Sequence, residues 1–540
     1  MSKSFKVIIV LALSVFLMAG CSKSLGPEAQ ASTNESVQMD QKELKIGHSQ
    51  EFLNYTVYDG GDNGFIWFAM NCYDTLLNMD GNEIVPSLAS SWEESDQSLV
   101  LHLREGVKFS DGAEFNADVV KLNIEKLKQI QGKKVSYIGI LEAIKEIEVI
   151  DEYTIMLKFD QYTEIYLTDL ATIFPLGMMS PNAFEENNYT DEVAKERTLG
   201  TGPYVLSGKQ NGQEYIFERN DYYWGEKAQY EKVVIKIIPD SESLGLALRS
   251  GEIDAALGNF AVNNKLYEEF EKAIGFESVE AEHINRTHML SLNAQKDILS
   301  NIEIRQAIMH AVNKELIHQE ILKGRGEIAN QLLHPSYEYC DFAMSETTYN
   351  TEKTIELLEK NGWMIEGNNK IRTKNGEKLT LDLLYTGGCS ADYDIALTLE
   401  SELKKLGIDI NAQGFETMVR WNKMMSGEFD LALLQSCGAP YDPYVYLKSL
   451  INANALTVTL KGTSEKELID RNINALYETT DKEKMQACFK TILNTINEAS
   501  VEMPLYYEKQ PAIFNSDKIE RVDFNGVTTF FLFDDVRMKR

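Results

Sequence analysis

Leu103-Arg104-Glu105-Gly106-Val107-Lys108-Phe109-Ser110-Asp111-Gly112, with Phe115-Asn116-Ala117-Asp118-Val119 just after it, carries the most local structure in this chain. Ser110-Asp111-Gly112 is a turn, because serine and aspartate bond the backbone ahead of them and glycine takes the tight conformation. Asn116 or Asp118 can accept from the first free N–H groups of a following helix. The stretch is therefore strand, turn, strand and helix in close succession.

The same alternation extends outward in both directions. β-branched and alternating runs predict strands over 43–46, 99–103, 154–159, 215–219, 233–238, 379–385, 409–413 and 431–435. Apolar residues three and four apart predict helices over 117–129, 241–250, 302–312, 314–322, 353–361, 390–406 and 482–499. Lys360-Asn361-Gly362 and Lys405-Leu406-Gly407 are helix stops. Such alternation argues for α/β lobes with mixed sheets. No tandem repeat or long internal linker interrupts it. Gly387-Gly388, between a strand and a helix, reads as a tight turn, with an anion site at the helix N-terminus as the alternative.

The first residues are an address rather than part of the fold. Lys3 and Lys6 precede an apolar run, 7–19, broken only by Ser14. A membrane-spanning helix needs roughly 20 apolar residues, so this run fits a signal-peptide core instead. Leu17-Met18-Ala19-Gly20-Cys21 then resembles the processing site of bacterial lipoproteins. On that reading Cys21 becomes the mature N-terminus and carries acyl chains such as palmitate, each buried methylene contributing about 0.8 kcal/mol to membrane attachment. The plainer reading is an ordinary signal peptide with an incidental cysteine. Residues 22–41 are polar and nearly free of aromatic residues, and read as a flexible tether.

The remaining chain can bury a large core in more than one lobe, with 44% hydrophobic and 10% aromatic residues overall. The formal net charge of -30 argues against nucleic acid and anionic lipid as partners. Cys72, Cys340, Cys389, Cys437 and Cys488 are scattered, with no CxxC, so they form neither a disulfide framework nor a zinc pattern. One or two bridges remain compatible with that spacing.

Motifs for reaction chemistry are missing. No GxSxG, HExxH, P-loop or GxGxxG lies in a suitable strand–helix context. His283 and His288 form the nearest histidine pair, and an odd spacing on a strand points them to opposite faces. The expectation is a binding protein, not an enzyme, with no resident cofactor.

Several ordered segments resemble the large solute-binding proteins of ATP-driven importers, the group that takes up peptides, nickel and metal chelates. They are Leu88-Ala89-Ser90-Ser91-Trp92-Glu93 with the opening stretch, Gly200-Thr201-Gly202-Pro203-Tyr204, Glu218-Arg219-Asn220-Asp221-Tyr222-Tyr223-Trp224-Gly225, Gly251-Glu252-Ile253-Asp254, and Ile304-Arg305-Gln306-Ala307-Ile308 with Ala311-Val312-Asn313-Lys314. The resemblance implies a two-lobed, periplasmic-binding-protein-like fold of class II with an extra domain inserted in the first lobe. It places lobe I at 42–80, 201–283 and 505–540, the inserted domain at 81–200 and lobe II at 284–504. It further implies a monomer, lipid-anchored at the outer or periplasmic face of the cell membrane, that closes on a small solute and docks on ABC permease and ATPase subunits.

Within that group, Cys437-Gly438-Ala439-Pro440-Tyr441-Asp442-Pro443 is similar to the nickel-binding branch. Peptide-binding relatives carry an aspartate where this chain has Ala439, which removes a charge-assisted bond worth roughly 1.5–3 kcal/mol to a peptide's amino group. Position matching implies Tyr441, Trp421, Thr529 and Tyr137 as ligand-pocket residues. The branch's pocket tryptophan is replaced by Cys437, its chelator-gripping arginine falls at Gly177, and its metal-contacting histidine falls near Leu456. Lys133, Lys134, Arg286 or His288 could supply charge instead. Cys437 is read as a small pocket-wall residue, or alternatively as a soft-metal ligand, with His288 the other metal candidate. The favoured ligand is nickel or another transition metal as a small organic chelate. An oligopeptide is the first rival, and a surface interaction or chaperone-like role without fixed solute the second.

Overall fold

The computed structural model describes residues 43–58, 64–131, 137–185, 188–189, 197–210, 213–438, 441–452, 455–524 and 530–539. The expectations at Cys21, the tether, Lys133, Lys134, Ala439 and Thr529 lie outside these residues, as does the side chain of Leu456.

An eleven-stranded mixed sheet runs through the molecule. Its centre is an antiparallel pair, Phe276–Leu292 with Glu502–Asn515, in register from Phe276↔Asn515 to Ser291↔Glu502. At about 3.3 Å per residue, the longer strand spans on the order of 55 Å. At one end the pair is joined by Ala255–Leu257, which leads to Glu43–His48, Lys232–Ile237, Glu214–Arg219 and Tyr204–Gln210. At the other it is joined by Leu431–Gln435, then Thr380–Thr386 and Asp409–Phe415. One ladder thus crosses between two lobes. Its register shifts between Glu280 and Ile284, between Ile284 and Arg286, and again after His288. Bulges of this kind bend a strand and loosen its pairing, so the crossing is most pliable midway.

A separate antiparallel sheet, Ala89–Ser95, Ser98–Leu103, Thr154–Lys158 and Glu146–Asp151, forms an extra module with the helix Ala117–Gln131. Asn116 caps that helix through Val119 N, at 3.1 Å, and Asp111 closes its turn onto Ala113 N, also at 3.1 Å. The expected helix over 314–322 is instead a short α segment, Lys314–Leu316, followed by a π-turn, Ile317–Ile321. Leu322 N reaches back five residues to Ile317 O there, a widening that periodicity does not encode. Cys72, Cys340, Cys389, Cys437 and Cys488 are all free thiols, so the bridges allowed by the spacing are not formed among them.

Residues 142–163 meet residues 448–479 directly. Gln161 Nε2 donates to Glu478 O at 2.5 Å, Thr163 Oγ1 to Thr479 O at 3.2 Å, and Lys448 Nζ lies 3.6 Å from Glu142. Beside these contacts, Asp169 is fully buried and accepts from Ile140 N at 2.7 Å. Burial pushes its carboxyl up to about 7, against the Ile140 and Gly139 N–H groups and the Lys448 charge. A carboxyl raised in the folded state stabilises below its unfolded value near 3.8, and that stability is lost as pH rises through about 7. Asp169→Asn keeps the acceptor without the charge. Urea unfolding should show a gain that grows from pH 4 to pH 8, reaching on the order of 4 kcal/mol at most. A pH-independent difference would exclude this origin.

Candidate functional site

The site is built where the crossing strands meet the loop after Leu431–Gln435. Thr287 and Ser436 clasp one another: Ser436 N donates to Thr287 O at 2.8 Å, and Thr287 N to Ser436 Oγ at 3.1 Å. Ser436 Oγ then donates to Asp442 Oδ2 at 2.6 Å, and Gly438 N to the same oxygen at 3.2 Å. Gly438, at φ 86°, makes the reversal that brings Tyr441 N to its carbonyl at 2.9 Å. The carboxylate of Asp442 therefore staples the loop and fixes where Cys437 and Tyr441 point.

Cys437 keeps accessible surface, yet burial, with Asp442 beside it, pushes its thiol well up, while Arg286 opposes. Tyr441 is buried, edge-on to Phe530 at 5.8 Å, and Phe530 lies 6.4 Å from Phe174. Tyr137, half-buried against the main core, faces the Tyr441 hydroxyl. The wall is thus aromatic on one side and carries a thiol on the other.

Arg286 brings the charge. It is 4% exposed, its guanidinium lies over the Trp67 ring at 5.4 Å, and its Nε is 3.5 Å from Glu508 Oε2. Its field reaches Asp442, Cys437 and Tyr337. His288 stacks on Tyr506 at 4.4 Å and 8°, with Nε2 3.1 Å from Glu508 Oε1. Burial pushes Glu508 up, but His288, Arg286 and Arg325 together outweigh it and hold the carboxylate below its ordinary range. Burial pushes Asp442 up to about 6 despite Ser436 and Arg286.

Nearby, both ring nitrogens of His48, Asn285 Oδ1 and Thr287 Oγ1 are buried without hydrogen-bond partners among the described residues. His48, Trp67, Asn285, Arg286 and Glu508 line one small void. Burial pushes His48 down to about 3, so it is neutral there. Most buried polar groups in folded proteins are paired, so a cluster of unpaired ones marks capacity for a polar guest. A cleft of about 450 Å³ is lined by Ser49, Asn259, Thr386 and Gly388 together with His288 and Glu508.

Of the sequence-based candidates, Arg286 acts on the Cys437 thiol, and Tyr137 and Cys437 act on the Tyr441 hydroxyl, so these four lie near one another. His288 joins them through Glu508 while facing the cleft. His283 lines a different void, together with its neighbours Ile284 and Asn285, where the bulged register breaks the simple alternation. Trp421 stands apart, 37% exposed on the helix Thr417–Met425, one turn beyond Thr417, which lines the cleft. At Gly177 an added Cβ would lie 2.9 Å from Ile173 Cδ1 and 3.1 Å from Val57 Cγ1, so no larger side chain fits there without repacking. Gly387-Gly388 is the tight turn, with Gly388 at φ 87° and Gly387 N bonded to Phe415 O at 2.7 Å. Trp67, Glu508, Phe174 and Phe530 were not singled out by sequence. Glu508 could have been found only from the strand register, which sets it opposite Arg286. Among the described residues no three His, Cys, Asp or Glu side chains gather as a metal-ligand set.

Residues 83–455 match the profile of the bacterial extracellular solute-binding proteins, family 5. The nickel-binding periplasmic protein of Escherichia coli is 26% identical over 470 residues, covering 86% of this chain and 89% of that one. The oligopeptide-binding protein AppA of Bacillus subtilis is 26% identical over 430 residues, covering 77% and 76%. Among solved structures, NikA of Brucella suis in complex with Fe(III)-EDTA superposes with a TM-score of 0.85 at 27% identity, covering 92% of this chain and 100% of that one. With one sheet crossing two lobes and a family match over most of its length, this chain belongs to the family 5 bacterial extracellular solute-binding proteins.

Proposed function

We propose that this protein captures a transition metal, nickel foremost, as a complex with a small organic chelator, and delivers it to an ABC importer. The carrying observation is the group of side chains around Arg286. One thiol, an aromatic wall of Tyr441, Tyr137 and Phe530, and a single buried guanidinium suit a compact chelate that brings its own carboxylates. Likeness to a nickel-binding protein and to a structure holding Fe(III)-EDTA supports this reading. The metal is cargo rather than cofactor, and the protein binds without transforming. Tyr441, Cys437, Tyr137 and Arg286 would touch the ligand, with Trp421 at the cleft mouth; Thr529 joins them on the resemblance alone. The lobe boundaries given above, a monomeric state, and attachment through acylated Cys21 belong to the same proposal. Among the described residues no helix is long and apolar enough to cross a membrane.

Nickel with histidine should raise the melting temperature of the purified protein. At a hundred to a thousand times the dissociation constant the gain corresponds to about 3–4 kcal/mol. A rise with oligopeptides and none with nickel–histidine would instead establish the peptide-binding reading. Cys437 provides a second readout. Its thiol, raised by burial, should react slowly with iodoacetamide and several-fold more slowly once nickel–histidine is bound. Equal labelling with and without ligand would remove Cys437 from the wall.

A further inference from the structure

Where residues 139–169 meet residues 448–479, Asp169 and Tyr477 each leave one polar atom unpaired. Asp169 is fully buried on the helix Ile165–Leu170, and its Oδ2 accepts from Ile140 N at 2.7 Å. Its Oδ1 has no hydrogen-bond partner among the described residues. Tyr477 follows the helix Lys466–Leu476 and is 9% exposed. Its hydroxyl is buried and also has no hydrogen-bond partner among the described residues. One atom is an acceptor and the other can donate. Buried polar groups are nearly always paired, because an unpaired one bears the full cost of leaving water.

Several contacts bring the two groups together. An added Cβ at Gly139, the neighbour of Ile140, would lie 2.8 Å from Tyr477 Cδ1. Tyr166, one turn before Asp169, has its ring 6.3 Å from that of Tyr477. Burial pushes the Tyr477 hydroxyl up, and Asp169 is the foremost charge adding to it. The residues after Tyr477 already bridge the same junction, with Gln161 Nε2 donating to Glu478 O and Thr163 Oγ1 to Thr479 O. A small further approach of the two stretches would make one hydrogen bond and pair both atoms.

We propose that Tyr477 Oη and Asp169 Oδ1 form a latch that holds the protein closed, remote from the solute and without touching it. On the lobe boundaries proposed above the two residues belong to the inserted domain and to lobe II, and the latch rests on that reading. The pair forms only in the closed arrangement, so it shifts the open–closed equilibrium through a contact that the open form lacks.

Tyr477→Phe removes the hydroxyl and keeps the ring. Hydrogen exchange, read by mass spectrometry on the full chain without solute, is the test. Backbone amides of residues 139–144 and of residues 474–482 should both exchange about three- to tenfold faster, the effect of one hydrogen bond. Amides of the crossing strands, 276–292 and 502–515, should exchange as in the parent. Tyr166→Phe, which removes a neighbouring hydroxyl and leaves the pair intact, should match the parent throughout. Four results would each overturn the latch: unchanged exchange in both stretches, faster exchange in 474–482 alone, equal acceleration in the crossing strands, or the same effect from Tyr166→Phe. No solute is present in this measurement, so its failure and that of the nickel–histidine reading are told apart.

Discussion

Arg286→Met is expected to destabilise the folded protein by about 3–5 kcal/mol in urea unfolding at pH 7. The side chain is almost fully buried and stands between two buried carboxylates, Glu508 on the neighbouring strand and Asp442 in the loop. Removing the guanidinium leaves Glu508 with His288 and Arg325 as remaining partners, and Asp442 with none that is charged among those acting on it. Uncompensated buried charge costs more than the lost pair ever contributed. Two rescues follow from that cause. Adding Asp442→Asn should restore at least half the loss. Lowering the pH from 7 to 5 should narrow the gap, because protonation of Asp442, already raised to about 6, removes the charge Arg286 was balancing. A variant as stable as the parent at pH 7 would show that Arg286 is not the charge balance of this site.

Gly139→Val should hold the lobes apart. An added Cβ at Gly139 lands against Tyr477 Cε1 and 2.8 Å from its Cδ1. Tyr477 has little freedom to yield: Lys448 lies over its ring at 4.9 Å, and Tyr166 is 6.3 Å away on the other element. Overpacking of this kind costs roughly 1–3 kcal/mol. On the lobe boundaries proposed above, Gly139 and Tyr477 belong to opposite sides of the interlobe junction, so an open arrangement would escape the clash. Apparent affinity falls with the fraction of closed molecules, by about 10–100-fold for that range. Small-angle scattering with saturating nickel–histidine should show a larger radius than the parent. Tyr477→Ala in the Gly139→Val background should return both radius and affinity toward parental values. An unchanged radius, with affinity lost, would place Gly139 in the ligand wall rather than at the closure contact.

Much of the fold was legible because it is local. The turn at Ser110-Asp111-Gly112, the Asn116 cap, the helix Ser241–Ser250 and the helix Lys482–Ala499 all depend on residues within a few positions of one another. The helices Tyr444–Asn452 and Thr417–Met425 escaped notice. The first is apolar on most sides, so it has no contrasting face; the second is short and leaves Met418, Val419, Trp421 and Met425 exposed. Cys437 and Tyr441 could be named from one loop, and Arg286 from one strand. Trp67, Glu508 and Phe530 could not, because nothing local distinguishes them from other tryptophans, glutamates and phenylalanines.

The amino-acid sequence by itself determined the class of molecule: alternating strands and helices, their caps and turns, and the ordered segments that imply two lobes. These follow from side-chain periodicity and backbone preference, which act over a few residues. Only the tertiary structure decided what faces what. The register that sets Arg286 opposite Glu508 joins positions 222 apart in the chain. The meeting of Gly139 with Tyr477 joins positions 338 apart in the chain. Burial then sets the charge states of Asp169, Asp442 and His48, since the cost of desolvating a charge depends on the whole surrounding shell and not on neighbours in sequence.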